Sequence, residues 1–465
     1  MPATSHPIEN TVNSAGAEAH WFEQYRGAGF PVNALPRAFT AYVHEEAARC
    51  GACEEFVIVT ALAHLAGVAG DSHIVLSEAG TPTNVCYNLI VAVPESFAIG
   101  LSLNRRIEVL EQCQRERLAA AAALGRKQIA LYLNAPLHQV PDLIPGDLDP
   151  RQVIDARVKA LHTVQRPMFF LEGGGSREIR DAFAACADAT LLLSFTRDDV
   201  LDRLLAPKMD REGRRFVDLI GRLANGGAIE LPRSRGGDCA LAQPKMGFMA
   251  ITNPASLQLA LLSDRKAVQA LLQRSILLTV DAGHPAGQPP AIRPRGNTWN
   301  DWVRSFLKAR RQRNCAMEPH PIFYHELDTW WPQMQGLVRN TPAHLQVHLS
   351  PFAELPRKLA TLFLGIETYG GFRDGDAAKG AIEITQWYMA RTLITADRAY
   401  WACQQAAEAA SEERMLEKIR ERPTDFVRLR RRFSRQRKDM HQRTLDSLLN
   451  QGRVRREPDG RLVAI

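Results

Sequence analysis

No apolar run in this sequence reaches the roughly twenty residues that a bilayer-spanning helix needs. The longest, Phe56 to Ala69, is interrupted by His64 and reads as a buried helix, so no membrane partner is expected. The opening stretch MPATSHPIENTVNSAG also lacks the basic-then-apolar layout of a secretory signal. Residues 1–29 are therefore expected to be a flexible leader on a cytoplasmic protein. Paired metal ligands are missing too. Of 8 cysteines only Cys50 and Cys53 form a CxxC, and no second pair or histidine pair follows at zinc spacing. Reduced, structural thiols are expected, with no metal site and no cofactor. The histidines, His320 and His325 among them, show no metal spacing, and no Ser-His-Asp or Cys-His set emerges from residue order.

Net charge is absent everywhere except in one place. Between Ser411 and Ile465, 16 Lys and Arg face 9 Asp and Glu, while the rest of the chain carries 42 of each. The whole net charge of +7 thus sits in the tail. Such asymmetry points to a polyanion, nucleic acid being the usual one.

The tail reads as three helices and a hairpin. Met415, Leu416 and Ile419 have helical spacing in a first helix, Glu412 to Arg422, which Pro423 ends. Thr424 or Asp425 can cap a second helix with Phe426, Val427, Leu429 and Phe433 facing inward. A third helix carries Met440, Leu445, Leu448 and Leu449 to Asn450, and Gly452 ends it. Residues Arg453 to Arg456 and Arg461 to Ile465, joined by Glu457-Pro458-Asp459-Gly460, form two strands. Three helices followed by a hairpin is the winged helix-turn-helix pattern, whose third helix enters the major groove while the wing meets the backbone. The candidate DNA-binding residues are Arg435, Gln436, Arg437, Lys438, His441 and Arg443 on the third helix. Arg428, Arg430, Arg431 and Arg432 precede it, and Arg453, Arg455, Arg456 and Arg461 decorate the wing. Arginine bonds phosphates and guanine edges bidentately. A winged helix can also serve protein contacts, in which case these residues form a solvated basic face.

The larger part alternates helical and strand patterns. Leu35 to Ala48 and Glu54 to Ala69 are predicted helices, Asn88 to Val93 a buried strand, and Asn104 to Ala123 a helix. A phosphate-binding loop belongs between such a strand and helix, but here Glu95 replaces the first glycine of GxxxxGK[ST] and Leu101 the lysine. Only Gly100 and Ser102 fit. Further along, the strand MFFL leads into Glu172-Gly173-Gly174-Gly175-Ser176, which reads as a strand-to-helix turn, with a phosphate loop as the alternative. Trp299, Trp302 and Phe306, followed by Lys308, Arg310, Arg311 and Arg313, suit either a buried stripe or a single-strand stacking surface.

The segment FPVNALPRAFTAYVHEEAA (30–48), with FVIVTALAHLAGVAG and NLIVAV, resembles the opening of a bacterial domain-of-unknown-function family of helicase-like P-loop proteins. That family occurs on prophages, plasmids and integrative elements and is sometimes fused to primases. HLSPFAELPRKLATLFLGIETYGG (348–371) resembles its helical region, and the basic tail its terminal winged helix. The resemblance implies a RecA-like P-loop core acting on DNA, with itself or a replication protein as partner. It also implies an apolar strand ending in Ser-Asp-Glu, where this chain has Ser194-Phe195-Thr196. Asp198 and Asp199 follow, and could compensate only if the loop shifts. Asn253-Pro254 falls at a sensor-like position, and Arg274 matches an arginine kept near the subunit edge. The degenerate nucleotide site is thus Glu95, Gly100, Leu101, Ser102, Ser194, Thr196, Asn253 and Arg274.

Phosphoryl transfer rests on electrostatic stabilisation, and the charges it needs are gone from two motifs. The expectation is an α/β protein. A RecA-like P-loop-type core (30–285, with a helical insertion near 116–167) is followed by a linker (286–297), a helical region (298–410) and a winged helix (411–465). The expected function is non-hydrolysing DNA binding, duplex foremost, in replication or a related transaction of a mobile element. An active DNA-stimulated ATPase, with ATP and magnesium at a shifted site, and a winged-helix transcriptional regulator are the alternatives.

Overall fold

Five short runs pair as parallel strands, and all but the edge strand Phe170–Glu172 are largely buried on both faces, as crossover connections require. They are β1 (Asn88–Ala92), β2 (Phe170–Glu172), β3 (Thr190–Phe195), β4 (Lys245–Thr252) and β5 (Ser275–Thr279), in the order β2-β3-β4-β1-β5. In the computed structural model the described residues are 21–70, 74–75, 84–94, 100–134, 168–186, 189–231, 240–280, 298–311, 316–317, 321–367, 374–421, 429 and 438–465. Among them no helix is long and apolar enough to cross a membrane. The chain divides into two compact units, Met1–Thr395 and Ala396–Ile465.

In the first unit, side chains alternate across the sheet with period two. Leu191, Leu193 and Phe195 of β3 join Phe248 and Ala250 in one apolar cluster, while Leu192 points to the other face. Helices α1 (Arg37–Cys50) and α2 (Glu54–Ala69) precede the sheet, and α3 (Gly100–Asn134) follows β1. Every residue of α2 from Phe56 to Ala69 is buried, which fits a helix apolar all round. It lies close on the sheet because Gly67 has no side chain: a Cβ there would come within 2.6 Å of Leu192 Cδ1.

The opposite face carries α4 (Ser176–Ala184), α5 (Val200–Leu205), α6 (Arg211–Ala224), α7 (Pro254–Leu261) and α8 (Lys266–Gln273). Thus β1 sends its connection to the α2 face, whereas its neighbour β4 sends its own to the α6 face. Divergence of adjacent connections marks the carboxyl ends of the strands as the usual ligand position in open α/β sheets.

Two expected boundaries shift. Residues 21–29 are packed, not a flexible leader: Phe22 is fully buried, Trp21 Nε1 donates to Thr341 Oγ1 at 3.3 Å, and Trp387 Nε1 donates to Ala28 O at 3.4 Å. The helical region also does not stand apart from the α/β core. Helix α9 (Thr298–Arg311) packs on α2, and α10 (Pro321–Arg339) and α11 (Leu355–Ile366) follow. Helix α12 (Asp374–Glu421) covers the free edge of β5, where Leu277 N donates to Thr392 Oγ1 at 3.1 Å. Covering an edge in this way blocks unwanted strand pairing. The expected linker 286–297 lies outside the described residues.

In the second unit, the end of α12 meets α13 (Lys438–Asn450) and a hairpin of β6 (Val454–Arg456) and β7 (Leu462–Ala464). Met415, Leu416, Ile419, Leu429, Leu445, Leu448, Val454 and Leu462 form its core.

Candidate functional site

The second unit takes its shape from a few local signals. Helix α12 ends at Glu421, two residues before Pro423, which disfavours helical geometry in the residue before it. Helix α13 ends in a left-handed Gly452 (φ 67°), whose amide donates to Leu449 O at 3.1 Å while Arg453 N donates to Leu448 O at 3.0 Å. This Schellman pair satisfies carbonyls that the helix end would leave orphaned, and it turns the chain straight into β6. The hairpin turn closes through Glu457 N to Arg461 O at 2.8 Å, with Gly460 at φ 83°. Val454 and Leu462 point into the core, leaving Arg455 and Arg456 outside.

The candidate DNA-binding residues separate into groups. Arg443 and Arg456 are exposed and make no ion pair among the described residues. Arg455 and Arg461 are exposed but hold hairpin carboxylates, Glu457 at 2.6 Å and Asp459 at 2.8 Å. Exposed pairs of this kind contribute only ~0–1 kcal/mol, so either arginine can exchange its carboxylate for a phosphate. Arg453 differs: it reaches Glu413 at 2.8 Å and Glu412 at 4.0 Å, tying the hairpin to α12. The backbone of Lys438 and His441 belongs to α13. Arg428, Arg430, Arg431, Arg432, Arg435, Gln436 and Arg437 lie outside the described residues.

At the carboxyl edge of the sheet, carboxylates are present but engaged. Glu172, the last residue of β2, accepts from Thr196 N at 2.9 Å and Thr196 Oγ1 at 2.7 Å, which ties β2 to the end of β3. Asp199 caps α5, accepting from Leu201 N at 3.0 Å and Asp202 N at 3.3 Å. Its second oxygen takes Thr252 Oγ1 at 2.8 Å and Asn253 Nδ2 at 3.4 Å. Asn253 caps α7 in turn, through Ser256 N at 2.8 Å. Asp199 and Asn253 therefore spend their bonds on helix starts, and Thr196 on a tie between two strands. Ser194 is fully buried in β3, and its hydroxyl has no hydrogen-bond partner among the described residues.

The remaining members of the expected nucleotide site do not all converge here. Gly100, Leu101 and Ser102 open α3, while Glu95 lies outside the described residues. Arg274 is at the opposite edge of the sheet. It precedes β5 where Ser275 pairs with Asn88, the first residue of β1, and its carbonyl accepts from Asn88 Nδ2 at 3.2 Å. A position at the amino end of the strands cannot join a site at their carboxyl ends.

The Gly-rich turn is already filled by the chain's own carboxylates. Gly175 N donates to Glu178 at 2.8 Å, and Ser176 N and Oγ donate to Glu212 at 2.9 and 2.5 Å. Those Ser176 bonds hold the Glu212 carboxyl below its usual range. With its amides occupied, the segment acts as a strand-to-helix turn.

Trp299, Trp302 and Phe306 are buried, with Trp299 stacked on Tyr42 at 5.8 Å, so they form core and not a stacking surface. Arg310 is buried as well, donating to Val68 O and Thr190 O. Cys50 and Cys53 are free thiols whose pKa values burial raises.

Sequence reasoning missed Glu172, visible only as the last residue of a strand, and the arginines of α6, whose i, i+3, i+4 spacing was there to be read. No protein-family model matches the chain, and no curated protein does.

Proposed function

We propose that this protein is a nucleic-acid-binding factor that engages duplex DNA through its second unit and does not hydrolyse ATP. The observation that carries the reading is the exposed arginine set of α13 and the β6–β7 hairpin, mounted on one apolar core. Helix, buried Leu429, helix and hairpin in that sequence are consistent with a winged helix. In such a unit α13 would present Gln442 and Arg443 towards the major groove, and Arg455, Arg456 and Arg461 would meet phosphates. Phosphate contacts position a protein without specifying sequence, so most of these arginines supply affinity.

The strand order supports reading the first unit as a RecA-like P-loop-type core, with β1 between β4 and β5. The case against hydrolysis rests on side-chain chemistry at that edge. Leucine stands where the phosphate-binding lysine belongs, and Asp199 and Asn253 are committed to caps. A helicase-like factor of a mobile element, assembling with itself or a replication protein, is the wider setting that the resemblance suggests.

The test is duplex binding by the full-length protein and by R443Q/R455Q/R456Q, followed by fluorescence anisotropy. Each lost phosphate contact should reduce the log–log salt slope by about 0.9. Equal slopes for the two proteins would overturn the reading.

A further inference from the structure

We propose that the first unit carries a second phosphate-backbone contact of its own, on the outer face of α6 and the residues just before it, beside the carboxyl edge of the sheet. Its residues are Lys208, Arg211, Arg214 and Arg215. The inference rests on the reading that the protein binds nucleic acid, and extends it to a unit whose net charge is only +1.

Helix α6 is sharply two-sided. Phe216, Leu219, Ile220 and Leu223 are buried against the sheet, while Arg211, Arg214, Arg215, Asp218 and Arg222 lie exposed along the opposite stripe at i, i+3, i+4, i+7 and i+11. On an ordinary solvated helix, acids interleave with such bases. Here five bases between Lys208 and Arg222 outnumber three acids, Asp210, Glu212 and Asp218, and the surface keeps a charge of +2 although Glu212 lies within the field of Arg215. Asp210 caps the helix through Gly213 N at 2.7 Å, Glu212 holds Ser176, and Asp218 pairs with Arg222 at 3.1 Å. Lys208, Arg211, Arg214 and Arg215 are exposed and make no ion pair among the described residues.

Their position works against stability. Cations in the first turns of a helix face the positive end of its macrodipole, and like charges at i, i+3 and i, i+4 repel. A cluster held against both effects finds its favourable partner in an anion from outside. Arg211 to Arg215 covers about 6 Å along the axis, a reach that suits successive phosphates of one strand. The bond from Ser176 to Glu212 fixes this end of α6 beside the start of α4, where the chain leaves β2. The basic ridge therefore borders the carboxyl edge of the sheet. Guanidinium groups, which bond phosphate bidentately, suit it to a nucleic-acid backbone more than to a single small anion.

The experiment measures affinity of the full-length protein for a 30-base-pair duplex and its single strand between 50 and 200 mM salt. Four proteins are compared: wild type, R211Q/R214Q/R215Q, the charge-keeping R211K/R214K/R215K, and the tail variant R443Q/R455Q/R456Q. Thermal melts confirm that each is folded. Three lost phosphate contacts lower the log–log slope by about 2.7. Over that fourfold salt range the glutamine variant of α6 should then lose about 40-fold less affinity than wild type. The lysine variant should keep the wild-type slope. A glutamine variant with wild-type slope and affinity overturns the inference, whatever the tail variant does. A normal tail variant beside a weakened α6 variant would instead refute the tail reading and leave this one standing.

Discussion

Replacing Leu445 by Ala should unfold the second unit before the first and abolish most DNA binding without touching a basic residue. Leu445 is fully exposed to the core and not at all to solvent, between Met415, Leu416 and Ile419 of α12 and the hairpin residues Val454 and Leu462. Truncation of a buried leucine costs about 2–5 kcal/mol, depending on how far the cavity collapses. A unit of this size is worth only roughly 4–10 kcal/mol in total, and its core has eight fully or nearly buried apolar residues to share that stability. Taking about 3 kcal/mol, the melting temperature of the second unit should fall by roughly 12–24 °C. Calorimetry would resolve the transition, and anisotropy with duplex DNA at 25 and 37 °C would follow the function. The expected result is an early, small transition that shifts downward, an unshifted larger one, and affinity that weakens with temperature. An unshifted melt, or undiminished binding above the lowered transition, would refute the reasoning.

Gly67→Ala should destabilise the first unit by about 1–3 kcal/mol, since its Cβ would overlap Leu192, and leave duplex affinity unchanged; denaturant midpoints and anisotropy check both. Asp199→Ala should lower the free energy of unfolding by about 1–2 kcal/mol through loss of its cap, measured by denaturant unfolding, and leave duplex affinity unchanged. An unchanged unfolding free energy would refute the capping role. His64 is fully buried with neither ring nitrogen hydrogen-bonded among the described residues, and burial holds its pKa well below the usual value. Its folded state therefore binds fewer protons than the unfolded chain. The stability it allows is whole above about pH 6.5 and declines as pH falls towards the folded pKa, by about 1.4 kcal/mol per unit. His348, lowered to about 4 by burial, adds to the same acid slope. His64→Leu should flatten the slope between pH 6 and 5 by one proton, measured by urea unfolding at each pH.

Where local chemistry decided structure, the residues were legible. Glu54–Ala69 is apolar all round and became the central helix α2, and the Gly452 and Gly460 signals fell where the backbone turns left-handed. Long-range facts were not. Nothing local distinguishes Arg274 at the amino edge of the sheet from a residue at the carboxyl edge, because strand order alone decides that. Phe22 and Trp21 looked like part of a leader because their partners, among them Thr341, are hundreds of residues away. The length of α12 was readable but overlooked: no glycine or proline interrupts residues 381–422, so one helix continues where two were expected. At the candidate site, the arginines of the hairpin could be found from sequence, but not the carboxylates of Glu412 and Glu413 that tether Arg453.

The most direct test of DNA binding without hydrolysis is one titration. Full-length protein is added to duplex and single-stranded DNA across a salt series, with ATP consumption followed in the same samples. The expected result is duplex binding that weakens steeply with salt while ATP stays intact. ATP hydrolysis stimulated by DNA would contradict it, and would mean that the carboxyl edge of the sheet builds a working phosphate site despite Leu101 and the capping role of Asp199.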